Sequence, residues 1–144
     1  MHINMALFLP RDAASVPVSR QVLDGCLEKL GVTPDTRTDI ALALSEACAN
    51  VIQHAGPGDE YEVRARTGDG RCVIEVVNAG TGAKVTVPGG GMPPPTADHG
   101  RGLKIMDAVV ENLQLTGNRQ RGTTVHFEKP LDWLPGAPGE SLVT

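Results

Sequence analysis

Aromatic side chains are scarce in this 144-residue chain: Phe8, Tyr61, Phe127 and Trp133 are all it has. Surfaces that stack unpaired bases need several, so a base-stacking platform is excluded. Excess positive charge is missing too. Thirteen basic against seventeen acidic residues leave a net charge of −4, which argues against direct nucleic-acid binding. No run of 18 apolar residues occurs, so no membrane-spanning helix and no membrane partner are expected. The first residues lack a basic segment leading into an apolar one, so no secretory signal is expected. Cysteine is rare and odd in number: Cys26, Cys48 and Cys72, with no CxxC pair. That excludes a disulfide framework and fits buried free thiols in a reducing, cytoplasmic compartment.

What is present fits one ordinary domain with a single core. "INMALFL" (3–9) reads as a strand ended by Pro10. In "SVPVSRQVLDGCLEKLG", Val18, Val22, Cys26, Leu27 and Leu30 recur at helical spacing, and Gly31 is a stop signal. A long helix follows from Thr33, an N-cap residue before Pro34, to Gly56. "EYEVRART" alternates, and "GDG" (68–70) turns it into "RCVIEVVN", giving a β-hairpin. Residues 79–100 are rich in Gly and Pro, and a loop of that length inside a compact domain is either functional or disordered. "GLKIMDAVVENL" is again helical, and "LQLTGNRQRGTTVHFEK" reads as a second hairpin. The expected fold is α+β: a two-layer sandwich with a mixed, mostly antiparallel sheet covered on one face by three helices. Residues 1–130 form the expected domain. Residues 131–144 form a turn-rich tail with Trp133 as its docking point.

The helix "DIALALSEACANVIQHA" carries an apolar stripe of Ile40, Leu44, Ala47, Cys48, Val51 and Ala55. Glu46 and Asn50 share its other side with Gln53, one turn apart, with Asp39 nearby. An exposed face usually carries more Lys, Arg and Glu. Here Leu42, Ala43 and Ala49 flank one acid and one amide, as a pocket wall would. By itself such a pair reads first as an ordinary solvated face. The turn "NAGTG" (78–82) poses a similar choice between ending a strand and letting a ligand approach the backbone.

Taken in order, these segments resemble the boxes of the GHKL ATPase superfamily, whose nucleotide pocket is the Bergerat fold. Within it the match is to the bacterial anti-sigma-factor serine-protein kinases. "SEACANVIQHA" is similar to the family's N-box, with Glu46 and Asn50. "NAGTG" resembles its first glycine box, "GRGL" its second, and "GTTVHF" its final Gly-Thr. The resemblance covers about residues 5–129, and the ordered set is far more specific than any one glycine pair. It implies Mg²⁺ and ATP as cofactors. Asn50 would hold the Mg²⁺, and Glu46 would be the base that deprotonates an incoming serine hydroxyl or water. Gly80 and Gly82 would let the backbone approach the nucleotide. Gly100, Arg101, Gly102 and Leu103 would open a helix beneath the phosphates, where free N–H groups favour anions, and Thr123 would complete the pocket. Residues 83–99 would be the ATP lid. The implied partners are a sigma factor and an anti-sigma antagonist protein, and the family often forms homodimers.

One position departs from the pattern. The family has an Asp where this chain has Asn78, and that Asp accepts a hydrogen bond from the adenine amine. An amide oxygen still accepts that bond, while its NH₂ adds a donor. Losing the charge costs on the order of 1 kcal/mol, a several-fold to tenfold weakening. An amide can also turn to meet guanine O6 and N1–H. Asn78 therefore keeps a second reading open: a weakly catalytic ATP-binding module that sequesters a sigma factor or antagonist without phosphoryl transfer. A sensor histidine kinase fits less well, since the chain shows no separate helical segment for a phospho-accepting histidine.

Overall fold

The computed structural model describes residues 1–54, 60–78, 97–118 and 122–140. The elements run β1 (Asn4–Pro10), α1 (Ser15–Leu30), α2 (Pro34–His54), β2 (Glu60–Gly68), β3 (Arg71–Asn78), α3 (Ala97–Val109), β4 (Glu111–Asn118) and β5 (Gly122–Pro130). The five strands form one sheet in the order β1-β2-β3-β5-β4. Every pairing is antiparallel, so nothing of the expected parallel component is seen among the described strands. Both expected hairpins are present, as β2–β3 and β4–β5.

Alternation assigns the two sheet faces. Tyr61, Val63 and Ala65 of β2, Cys72, Ile74 and Val76 of β3, and Val125 and Phe127 of β5 are buried, and the helices cover that side. The opposite face carries charge. His126 lies between Glu75 and Glu128, with ring nitrogens 3.2 and 3.0 Å from their carboxylates. Arg71 continues the row to Glu128 (3.2 Å) and Glu111 (2.6 Å). A sheet face this polar needs no covering layer.

α2 is the central helix. Ile40, Leu44, Ala47, Cys48 and Val51 are fully buried, as its stripe predicts; Ala55 lies outside the described residues. Thr33 caps it, its Oγ1 accepting from the Thr36 amide at 3.4 Å. α1 flanks it, tied by both Asp24 carboxylate oxygens to Arg37 Nη1 at 3.1 Å. The expected face of α1 holds at Leu27 and Leu30 and fails at Val18 and Val22. Val18 and Val22 are 49% and 40% exposed, Cys26 is only partly buried, and Ser15, Ser19, Leu23, Leu27 and Leu30 point inward. The two serines are tolerated because their hydroxyls are satisfied. Ser19 donates to Val16 O at 2.8 Å, and Ser15 donates to Asp12 O at 2.7 Å. With its one proton used there, Ser15 accepts from the Tyr61 hydroxyl at 2.6 Å. Burial pushes Tyr61 up to about 12, Cys48 to about 11 and Cys72 to about 12, so all three stay protonated at neutral pH.

α3 also differs from expectation at both ends. It ends at Val109 rather than running on to Leu113, because β-branched Val109 and Val110 give way to Asn112 at a φ of 53°. Lys129 Nζ receives that end, 2.6 Å from Val109 O and 3.0 Å from Asp39 Oδ2. Residues 131–140 of the tail pack back onto the end of α1. Trp133 bridges to Val32, Leu134 N donates to Gly31 O at 2.8 Å, and Gly139 N to Leu30 O at 2.9 Å.

Candidate functional site

The topology brings the polar residues singled out in the sequence to one end of the molecule. Lys129, near the finish of β5, bonds Asp39 near the start of α2. α2 therefore runs back toward the start of β5 and the finish of β3. At the same end, Arg11 Nη2 donates to Ile52 O at 2.8 Å, fastening the last turn of α2 beyond β1. This places Asn50, Asn78 and Thr123 at the same edge of the helix-covered face. Asn78 ends β3 one position beyond the Val77–Thr124 pair, so it faces Thr123 across the ladder.

A cleft of about 140 Å³ opens between α2 and α3, lined by Glu46, Ala49, Asn50, Gln53, Gly102, Leu103 and Met106. Glu46 and Asn50 thus occupy one wall, one helical turn apart, as their spacing requires. Gly102 and Leu103 stand opposite. A Cβ on Gly102 would lie 2.6 Å from Glu46 Oε1, so only glycine leaves that carboxylate its present place. Asp39 belongs to the Lys129 end and is not part of the cleft.

Buried polar groups mark the site more sharply than its shape does. Asn50 is 7% exposed, Asn78 1% and Thr123 5%. Among the described residues, none supplies a hydrogen-bond partner to Asn50 Oδ1 and Nδ2, Asn78 Nδ2 or Thr123 Oγ1. An unmet buried polar group costs about 1–3 kcal/mol. Native structures tolerate few, and each calls for a partner beyond the described residues or for a functional reason.

The second glycine box is placed differently from the expectation. α3 begins at Ala97, so Gly100, Arg101 and Gly102 lie inside its first turns and do not open it. Thr96-Ala97-Asp98 after three prolines is itself a helix start, a hydroxyl residue and then an acid. The amides without intrahelical acceptors are those of residues 97–100. Gly102 therefore serves by lacking a side chain. Gly80, Gly82 and residues 83–96 of the expected lid lie outside the described residues, as does the side chain of Arg101. Ala49 lines the cleft as its place beside Glu46 and Asn50 suggested, and Met106 was missed. Met106 follows Gly102 and Leu103 by one turn, which was the available signal.

Known proteins resemble the chain along most of its length. The family model for the histidine kinase-like ATPase domain matches residues 9–129. The serine-protein kinase RsbW of Bacillus velezensis is 30% identical over 135 residues, covering 86% of this chain and 83% of the relative. The serine-protein kinase RsbW of Bacillus subtilis matches at the same identity and coverage. Among solved structures, the RsbU and RsbW domains of Rv1364c from Mycobacterium tuberculosis superpose with a TM-score of 0.68 at 20% identity. That alignment covers 90% of this chain and 32% of the other, and it shows the shared fold. With a family model spanning most of its length and relatives of this identity along nearly all of it, the chain belongs to the histidine kinase-like ATPase domain family and, within it, to the RsbW serine-protein kinases.

Proposed function

We propose that this chain binds ATP at the α2–α3 end of its sheet and transfers the γ-phosphoryl group to a serine of an anti-sigma antagonist protein, in the cytoplasm, while also holding a sigma factor inactive. The carrying observation is the set of unmet polar atoms, among the described residues, on Asn50, Asn78 and Thr123, with Asn50 lining the same cleft as the carboxylate of Glu46. They fit a nucleotide and its metal. Asn50 Oδ1 is a neutral oxygen ligand of the kind Mg²⁺ accepts. Asn78 and Thr123 offer a buried amide and hydroxyl to a base edge. Bound Mg²⁺ would offset the charge of the triphosphate.

The chain's own residues supply the rest. Glu46 accepts the proton that the attacking serine hydroxyl sheds as phosphoryl transfer proceeds, and it stands one turn from Asn50. Gly102 keeps the space that carboxylate occupies. Leu103 and Met106 give the cleft an apolar side that limits water. Gly80, Gly82, Gly100 and Arg101 we assign to phosphate contact on the family pattern. Asn78 supports a second reading, a module that binds nucleotide and partner without phosphoryl transfer, since a neutral amide holds adenine less firmly than an acid does.

The test is a thermal melt with and without Mg-ATP, followed by transfer of labelled γ-phosphate to a co-purified antagonist protein. A ligand at a hundred times its Kd stabilises by about 2.7 kcal/mol. No stabilisation at millimolar Mg-ATP overturns both readings. Stabilisation without transfer leaves the binding module.

A further inference from the structure

We propose that Asn78 and Thr123 form a purine-edge reader that accepts guanine as well as adenine nucleotides. This rests on the reading that the site binds nucleotide, and it adds which bases that site admits. Asn78 is 1% exposed, and its Nδ2 finds no acceptor among the described residues. Thr123, facing it across the β3–β5 ladder, is 5% exposed, with Oγ1 equally unmet. The ladder's last pair is Val77–Thr124; carried one position further its register sets Asn78 opposite Thr123, and side chains at opposed positions stand about 5 Å apart at Cβ, so the two present one joint surface.

The chemistry of that surface is a donor beside an acceptor. An amide carries both, and its terminal torsion is soft and roughly two-fold, so oxygen and nitrogen exchange places by a half-turn. Adenine offers an amine donor at position 6 next to the N1 acceptor. Guanine offers the O6 acceptor next to the N1–H donor. Each edge complements the amide in one of its two orientations, with two hydrogen bonds either way. Thr123 follows the change, because a hydroxyl donates or accepts as its rotor turns. A carboxylate at position 78 could not follow it. Having only acceptors, it would set an oxygen against O6 once ribose and phosphates fix the base.

The experiment is calorimetric titration of the whole chain with Mg-ATP, Mg-GTP, Mg-ITP and Mg-CTP. ATP, GTP and ITP are expected to bind within about tenfold of one another, and CTP more than about tenfold weaker, because a pyrimidine lacks the ring needed to reach position 78. Asn78→Asp should shift the GTP-to-ATP ratio of Kd values toward ATP by about 5- to 150-fold, the range for an unmet buried polar contact. Thr123→Val should weaken ATP and GTP to the same extent. GTP more than about tenfold weaker than ATP overturns the proposal while the ATP site stands. If ITP binds and GTP does not, guanine is excluded by its 2-amino group and the proposal falls. An unchanged ratio in Asn78→Asp removes residue 78 from base reading. Failure of every nucleotide overturns the nucleotide site itself, and this proposal with it.

Discussion

Gly102→Ala separates the chemistry of the cleft from the stability of the fold. The new Cβ would stand 2.6 Å from Glu46 Oε1, where ordinary contact begins at 3.4 Å, so the carboxylate must withdraw by about 0.8 Å. Withdrawal is cheap for the end of a flexible side chain. Alanine is also the better helix former by about 0.5–1 kcal/mol. The variant should therefore melt no lower than the parent, and up to about 4 °C higher. Catalysis should respond in the other direction. Misplacing a reacting group by about 1 Å costs on the order of 10²-fold, so transfer of labelled γ-phosphate should fall by about 10- to 10²-fold. A thermal melt and a phosphotransfer time course on the same preparations provide the two readings. Full activity in a well-folded Gly102→Ala protein would refute the placement of Glu46 as the base. Lost stability with full activity would mean that Gly102 serves the backbone and not the carboxylate.

Other outcomes follow from the packing. Leu23→Ala should cost about 2–5 kcal/mol in a urea denaturation series and Val18→Ala less than about 0.5, since only Leu23 lies inside α1's buried stripe; equal costs would overturn that face. Stability should decline as pH rises above about 9. Cys48, Cys72 and Tyr61 hold their protons to about 11, 12 and 12 when folded, against 9.0, 9.0 and 10.0 for the unburied groups. Their stabilisation is therefore whole below the unfolded values and is lost as pH climbs through the folded ones. A flat profile between pH 8 and 11 would contradict their burial. Asn50→Ala should abolish most Mg-ATP binding, measured by calorimetry, yet leave the free protein at least as stable, because the amide it removes is buried with no partner among the described residues.

Local signals carried most of the fold. The Thr33–Pro34 start, the 3.6-residue stripe of α2 and the Gly-Asp-Gly turn all act within a few residues, and the structure keeps each of them. Glu46 and Asn50 were legible for the same reason, since helical spacing alone puts them on one wall. The inward face of α1 was not legible. Ser15 and Ser19 look like surface residues until Tyr61, 46 positions away from Ser15, supplies a hydroxyl partner. The start of α3 was hidden by the glycine pair, which reads as a helix opening. Its true cause is the carboxylate of Glu46 on another helix. Partners distant in sequence decided both of these.

The central claim is that Glu46 is the base of a phosphoryl-transfer site that Asn50, Asn78 and Thr123 complete. The most direct measurement is transfer of labelled γ-phosphate to the co-purified antagonist by wild-type and Glu46→Gln protein, with Mg-ATP affinity measured on both. Glutamine keeps the shape and removes the basic oxygen. Transfer should fall by about 10²–10⁴-fold with affinity changed less than about threefold. Equal transfer by the two proteins would contradict the account.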